Sequence, residues 1–166
     1  QPGIFGGTRS QRADLYIARR PKRDRKLMSN LATTQWQNPQ DIERCLQATR
    51  IAVVGLSNNP MRPSHGVARY LQAAGYEVIP VNPSETTVLD LVCYPDLEAV
   101  PGPVGLVNVF RQPDAVMPIA RSAIAIGAKG LWLQLGIIHD EALTLAQEAG
   151  LACVADLCTK VEHQRR

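Results

Sequence analysis

The sequence has no apolar run long enough to cross a lipid bilayer. A membrane-spanning helix needs about 20 consecutive, mostly apolar residues, and the longest candidate, "AIAIGAKGLWLQLGII", is interrupted by glycine, lysine and glutamine. Apolar residues make up 45% of the 166-residue chain and charged residues 20%, which is typical of an ordinary globular domain. We therefore expect one domain with its own core and no membrane partner.

Closely spaced metal ligands are also missing. The four cysteines, Cys45, Cys93, Cys153 and Cys158, form no Cys-x-x-Cys pair, and the only three histidines are dispersed along the chain. Because zinc sites in sequences are marked by such close pairs, the sequence predicts no metal site. We interpret the cysteines as reduced, small apolar residues of a cytoplasmic protein.

Motifs that carry catalysis are lacking as well. There is no Gly-x-Ser-x-Gly nucleophile turn, no grouping of Ser, His and Asp that the sequence brings together, and no conspicuous pair of carboxylates. The sequence therefore names no catalytic residue. It favours a binding module over an enzyme.

Positive charge is concentrated at one end of the chain. Residues 1–27 contain eight Lys or Arg and two Asp, whereas residues 28–166 contain ten basic and thirteen acidic side chains. Gly and Pro punctuation without a sustained hydrophobic period predicts a basic, disordered segment over residues 1–34, ahead of a domain over residues 35–166. Nucleic-acid binding would have to rest on residues 9–26, and we interpret these as a solvated tail rather than as a binding site.

Strand-like and helix-like segments alternate through the rest of the chain. Nearly continuous apolar runs are typical of central parallel strands that are buried on both faces, and five occur: "RIAVVGL", "YEVIPVN", "VGLVNVF", "KGLWLQLG" and "LACVADL". Amphipathic helical stretches separate them. This alternation predicts an α/β fold with a doubly wound, mostly parallel, five- to six-stranded Rossmann-like sheet and helices on both faces. With these five strands numbered along the chain, we expect the order 3-2-1-4-5.

Several element boundaries follow from local signals. Asn38 is expected to cap a first helix, Ser64 to cap the helix after the first strand, and Pro113 to open the helix after the third strand. A short strand over residues 91–94 and one helical turn near Asp96 are expected within the irregular stretch 83–103.

The turn after the first strand has few glycines. A dinucleotide site usually has Gly-x-Gly-x-x-Gly there, whereas "VVGLSNNPMRPSHG" has Gly55 and then no glycine until Gly66. Arg62 supplies a planar guanidinium group suited to phosphate, and the next helix begins nearby. Because ligands of such sheets bind outside the carboxyl ends of the strands, this turn predicts an anion site without the glycine fingerprint.

The ends of the next two strands favour a ligand with more phosphate than NAD. NAD sites usually have an acid at the end of the second strand, for the ribose hydroxyls, but Asn82 and Pro83 stand there and Glu85 is the closest acid. The third strand ends in an aromatic residue and a cation, Phe110 and Arg111. An NAD(P)-binding enzyme or redox sensor remains the alternative.

Five stretches of the sequence are "VVGLSNNPMRPSHGVARYL", "GYEVIPVNP", "VNVFR", "GAKGLWLQLGI" and "TKVEH". Taken together, they resemble the small single-domain CoA-binding proteins, which are similar to the CoA-binding domain of the succinyl-CoA synthetase alpha subunit. The resemblance covers about residues 35–163. It implies a Rossmann-like fold, coenzyme A as the cofactor, and CoA or acyl-CoA as the partner, with a protein partner or a homodimer as further options. The ligand-binding residues that it implies are Gly55, Ser57, Arg62, Ser64, Val81, Asn82, Pro83, Phe110 and Arg111.

Ordinary structural roles remain open for several of these residues. Arg62 could be a solvated loop charge, and Arg111 could pair with Asp114. Ser64 could serve as a helix cap alone, Asn82 and Pro83 could form a plain turn, and Phe110 could belong to the core.

Overall fold

The computed structural model describes residues 35–166. The predictions for residues 1–34, including the basic segment, lie outside the described residues. The region Trp36–Arg166 forms one compact unit. It contains seven strands, five α-helices and one 3-10 helix, whose bounds are β1 Arg50–Val54, β2 Glu77–Val81, β3 Thr87–Val88, β4 Leu91–Val92, β5 Leu106–Val109, β6 Gly130–Leu133, β7 Ala152–Val154, α1 Pro39–Leu46, α2 Pro63–Ala73, α3 Val116–Ala125, α4 Asp140–Glu148, α5 Thr159–Gln164 and the 3-10 helix Pro113–Ala115.

The five longer strands form one parallel sheet in the order β2-β1-β5-β6-β7. The predicted fold class, a doubly wound parallel α/β sheet, is confirmed. The predicted order 3-2-1-4-5 is wrong, because the third long strand, β5, pairs with β1 and not with β2. On the outer side of β2, the described residues add a single parallel bridge between Val81 and Tyr94. The segment between β2 and Tyr94 forms the short antiparallel β3-β4 sheet.

Helices cover both faces of this sheet, as the sequence predicts. On one face, β1 residues Ala52 and Val54 join a buried cluster that includes residues of α3 and α4. On the other face, Ile51 and Val53 join a cluster with residues of α1 and α2. Alternate side chains of one strand thus enter different clusters, which explains why the strand sequences are apolar throughout.

Two of the predicted helix starts differ from the structure. Asn38 caps α1 as expected, with its side chain accepting a hydrogen bond from the Gln40 amide. Ser64 does not cap α2, because the helix begins one residue earlier, at Pro63, which occupies the first helical position. The chain turns at Pro113 as a 3-10 helix before α3 begins at Val116.

The region near Asp96 forms a turn. The Asp96 carboxylate accepts a hydrogen bond from the Ala99 amide at 2.9 Å, so this side chain holds a loop where the sequence predicted one turn of helix. The predicted short strand over residues 91–94 is reduced to Leu91–Val92 and the bridge at Tyr94.

Within residues 35–166, no helix has both the length and the apolar character that a bilayer crossing requires. This agrees with the broken apolar runs of the sequence.

Trp36 fastens the start of the described region to the helix α4. Its indole is 1% exposed, and its Nε1 donates to the Asp140 carboxylate at 2.7 Å. Backbone pairing of Ala155 with the Trp36 carbonyl adds a second link. Leaving the buried indole N–H without a partner would be costly. The Asp140 carboxylate satisfies it, which allows a tryptophan to be buried at this position.

We expect Trp36→Phe to lower the free energy of unfolding by about 1–3 kcal/mol, because a six-membered aromatic ring is kept while a buried, charge-assisted hydrogen bond is lost. Urea unfolding followed by circular dichroism measures this. Trp36→Ala, which also removes the ring, is expected to cost about 3–5 kcal/mol. Equal stability of Trp36→Phe and the wild type would contradict the role given to the Asp140 bond.

Candidate functional site

The carboxyl ends of four strands lie side by side at one edge of the sheet. In the strand register, Val54 of β1 pairs with Val81 of β2 and with Val109 of β5, and Val109 pairs with Leu133 of β6. The residues that follow these four are therefore neighbours: Gly55, Asn82, Phe110 and Gln134. This is the edge where ligands of open parallel sheets bind.

Gly55 lies at the centre of this edge in a conformation that favours glycine. Its φ is +86°, and a Cβ atom placed on it would lie 2.8 Å from the Phe110 carbonyl oxygen and 3.0 Å from Cδ of Arg111. Its amide also continues the sheet by donating to the Val81 carbonyl at 2.8 Å. Any side chain here would have to displace backbone, so the sequence keeps a bare surface at this point.

The loop between β1 and α2 is held together by its own polar groups. The Ser57 amide donates to Ser64 Oγ at 3.2 Å, and the Asn59 amide donates to Ser57 Oγ at 3.0 Å. His65 Nδ1 lies 3.0 Å from the Ser57 carbonyl, and since a carbonyl only accepts, this ring nitrogen carries the proton. Ser64 thus acts as a brace for the loop while also facing the cleft described below.

Helix α2 directs its N-terminus toward the same edge. Pro63 has no amide hydrogen, and no acidic residue lies in the first turn, so the partial positive charge of the helix start is not offset locally. Arg62 stands immediately before the helix and is exposed. The local field at this point favours an anion.

A cavity of about 660 Å³ opens between this helix start and the ends of β5 and β6. Its walls combine the turn after β1, the residues after β5 and the residues after β6. The lining includes six of the nine residues that the resemblance implied, namely Gly55, Ser57, Arg62, Ser64, Phe110 and Arg111.

A second cavity, of about 290 Å³, lies on the other side of Gly55. Its lining is mostly apolar and includes Val81, Pro83, Leu97 and Ile119. Gly55 and Arg111 line both cavities, so the two spaces meet at the glycine turn.

Asn82 has a structural position. Its side-chain Nδ2 donates to the Leu56 carbonyl at 3.1 Å, and its Oδ1 accepts from the Ser84 amide at 3.0 Å. Asn82 does not line either of the two cavities. Asn82 therefore joins the loop after β2 to the loop after β1. It shapes the site from behind.

The two arginines have no competing carboxylate in the described residues. Arg62 and Arg111 form no ion pair within residues 35–166, whereas Arg50 pairs with Glu77 at 2.9 Å. The alternative pairing of Arg111 with Asp114 is therefore not formed. Both arginines are exposed and line the larger cavity, and a guanidinium group in such a place suits an anion. Phe110, in contrast, is half-buried and packs against the core while it lines the cavity.

The Glu85 carboxylate accepts hydrogen bonds from the loop after β1. Its Oε2 accepts from the Asn58 side-chain amide at 2.6 Å, and the residue lines neither cavity. The acid that does border the smaller cavity is Asp96. The NAD(P) alternative needs an acid at the end of the second strand, and Glu85 lies outside both cavities.

Sequence reasoning missed three parts of the lining. Pro95 to Leu97 come from the irregular loop before β5, Ile119 comes from α3, and Cys158 comes from the loop after β7. Cys158 was interpreted as a small packed residue; it does pack against one of the core clusters, and it also borders the larger cavity. No periodicity marks these positions, because each is brought in by the packing of a distant segment. Within the part of the chain that the structure describes, no group of three or more His, Cys, Asp or Glu could hold a metal ion.

A sequence model of the CoA binding domain family matches residues 49–164. The chain belongs to the CoA binding domain family. The matched range begins just before β1 and ends at the last residue of α5, so it includes the whole sheet and every residue of the two cavities.

Relatives of this CoA binding domain protein are similar over most of their length. The chain is 41% identical over 130 residues to the uncharacterized protein YneT of Bacillus subtilis (strain 168), covering 76% of this chain and 96% of YneT. It is also similar to the structure of a hypothetical protein from Pyrococcus horikoshii OT3, with 39% identity, a TM-score of 0.74, and coverage of 77% of this chain and 91% of that one.

The same fold occurs as part of a larger enzyme. A dinucleotide-forming acetyl-coenzyme A synthetase 1 from Ca. Korarchaeum cryptofilum, in its apo form, is 25% identical, with a TM-score of 0.59 over 66% of this chain. The matched part is only 26% of that synthetase. The CoA binding domain protein described here therefore corresponds to about a quarter of that enzyme.

Proposed function

We propose that this protein binds coenzyme A or an acyl-CoA thioester across the two cavities, with the phosphates beside Arg62, Arg111 and the start of α2. The proposal rests on family membership and on one structural observation. The two cavities meet at a bare glycine turn, and the cationic groups around that turn have no ion-pair partner within the described residues.

The shape of the cleft supports an elongated ligand with a polar centre and two less polar ends. The smaller cavity offers apolar walls from Val81, Pro83 and Leu97, which suit the flat face of an adenine ring. The larger cavity continues from the arginines toward β6 and β7, where the pantetheine arm would lie. A ligand of this kind carries several phosphate charges, which two guanidinium groups can bind with paired hydrogen bonds.

The electrostatics favour CoA over NAD. Glu85 places no free carboxylate in the cleft, because both of its oxygens accept hydrogen bonds from Asn58, and one carboxylate oxygen of Asp96 already accepts a hydrogen bond from the Ala99 amide. CoA has a 3′-phosphate that adds negative charge close to the ribose, and a nearby carboxylate would repel it. The two arginines that line the larger cavity fit that additional charge better.

Calorimetric titration with CoA, acetyl-CoA, NAD and NADP tests the proposal. We expect micromolar dissociation constants for CoA or acetyl-CoA, about −8 kcal/mol, and no saturable heat with NAD. Acetyl-CoA compared with CoA reports whether an acyl group is accepted. Tight NAD binding together with absent CoA binding would contradict the proposal.

The NAD(P)-binding alternative makes a separate prediction for two side chains. Under it, Glu85→Gln would abolish NAD binding while Arg62→Ala would leave all ligand binding intact. Under the CoA proposal, Arg62→Ala weakens CoA binding and Glu85→Gln acts only indirectly, by loosening the loop that Asn58 holds.

The role that binding serves is a narrower question. We propose a carrier or regulatory role, since the site presents binding groups rather than a set of reacting ones, and a protein partner or homodimer would be the recipient of the signal or the acyl group. A cytoplasmic location, where CoA is abundant, stays a prediction.

A further inference from the structure

The lining of the larger cavity includes a thiol beside a buried amide. Cys158 is half-buried and lines the cavity together with Gln134, and Gln134 Nε2 lies 3.9 Å from Cys158 Sγ. Gln134 is only 4% exposed although it borders an open space. A polar side chain in this position needs a reason, because burying an amide without good partners is costly.

The orientation of Gln134 is fixed from behind. Its Oε1 accepts from the Thr159 amide at 3.0 Å and lies 3.4 Å from Thr159 Oγ1, and Thr159 Oγ1 in turn accepts from Asn108 Nδ2 at 3.1 Å. With the oxygen held by these groups, the NH₂ group must face Cys158 and the cavity. The bond to sulfur is long, and it is the only one that Nε2 makes within residues 35–166, so an N–H remains for a ligand.

The other three cysteines are in a different situation. Cys45 and Cys153 are fully enclosed in the core, and burial raises the pKa of both thiols. Burial also raises the pKa of Cys93. Since the thiolate is the reactive form, these three groups are poor nucleophiles at neutral pH. Cys158 is thus the thiol that combines access to the ligand cavity with a neighbouring N–H donor.

Resting on the proposed function, we propose that Cys158 exchanges with CoA disulfide to form a mixed disulfide that holds CoA covalently in the larger cavity. CoA ends in a thiol on a flexible arm, and the phosphate-binding groups at Gly55 and Arg111 line the same cavity as Cys158. A ligand anchored by its phosphates would therefore place its sulfur within the space that Cys158 borders. Gln134 is the positioning residue, because its N–H steadies the sulfur.

The reaction balances without a further oxidant. Cys158 loses its proton to solvent, and its thiolate attacks one sulfur of CoA disulfide. A new S–S bond forms between Cys158 and one CoA, the original S–S bond breaks, and the second CoA leaves as a thiolate that takes up a proton from solvent. The Cys158 sulfur is oxidised and the departing CoA sulfur is reduced.

Intact-protein mass spectrometry tests the exchange. The full chain is reduced, freed of reductant and incubated with micromolar CoA disulfide. We expect one CoA per chain, removed again by dithiothreitol. Cys158→Ser is expected to abolish the adduct and Cys153→Ala to retain it. Cys158→Ala serves as a second variant, and circular dichroism melting confirms that each variant is folded.

A smaller disulfide distinguishes a specific site from a merely reactive thiol. Glutathione disulfide lacks the nucleotide, so it gains nothing from the phosphate groups. Because binding raises the local concentration of a tethered reactant to about the millimolar range, we expect CoA disulfide to react roughly 10- to 100-fold faster than glutathione disulfide at equal micromolar concentration. Arg111→Ala should slow the reaction of CoA disulfide and leave that of glutathione disulfide unchanged.

Three outcomes would overturn the inference. An adduct that survives in Cys158→Ser would assign the chemistry to another cysteine. Saturable CoA binding by calorimetry without any adduct would remove the thiol exchange and leave the binding proposal standing. Failure of CoA itself to bind, with equal rates for the two disulfides, would instead remove the proposed function along with it.

Discussion

Gly55→Ala is expected to weaken CoA binding by roughly 30- to 100-fold, the equivalent of about 2–3 kcal/mol of backbone displacement and strain. The added Cβ would meet the Phe110 carbonyl oxygen at 2.8 Å, and the residue would be held at a φ of +86°. Both effects move the turn at the point where the two cavities join. Titration calorimetry with CoA measures the change in dissociation constant.

Gly75→Ala is the matched control for this prediction. Gly75 also has a positive φ, +99°, but a Cβ placed on it has no neighbour within 4 Å, and it lines neither cavity. We expect it to lower the free energy of unfolding by about 1 kcal/mol through backbone strain alone and to leave CoA binding unchanged. If both variants lost binding to the same extent, general destabilisation and not the geometry of the turn would be the cause.

Arg111→Ala is expected to raise the dissociation constant for CoA by about 10- to 100-fold. A hydrogen bond to a charged group contributes about 1.5–3 kcal/mol, and Arg111 is the arginine that borders both cavities. The remaining binding should depend less on salt than that of the wild type, because one screened attraction has been removed. Titrations at low and high salt concentration measure both effects.

Two further variants locate the origin of this effect. Arg111→Lys keeps the charge but not the planar guanidinium, so it should recover only part of the affinity. Arg69→Ala removes a comparable exposed charge from α2, at a position outside both cavities, and should leave the dissociation constant within about twofold of the wild type. Equal losses in Arg69→Ala and Arg111→Ala would reduce the role of Arg111 to a contribution to net charge.

The strands were predictable because burial on both faces leaves a direct mark in the sequence. Val53 and Val54 enter opposite clusters, so β1 must be apolar without alternation, and the same holds for the neighbouring strands. Helix starts were less certain, since Pro63 and Ser64 are both favourable near a helix start. The backbone resolved this in favour of Pro63 as the first residue and released Ser64 to brace Ser57.

The part of the candidate site that could be named from the sequence lies at the strand ends and in the turn after β1. Gly55, Phe110 and Arg111 could be named because parallel strands end at a common edge. Asn82 follows a strand in the same way, and its side chain joins the loops after β1 and β2; its contact with a ligand stays a prediction. Cys158 could not be singled out from the sequence. The four cysteines have no distinguishing neighbours along the chain, and they differ in how deeply the folded structure buries them.

The sequence by itself determined that this protein is a parallel α/β sheet with a glycine-poor, arginine-containing turn after the first strand, because apolar periodicity and residue chemistry are local properties. The tertiary structure decided the strand order, the engagement of Glu85 by Asn58, and the meeting of two cavities at Gly55 and Arg111. These features depend on which segments pack together across long distances in the chain, and such packing is governed by pairing and shape that no single stretch of residues encodes.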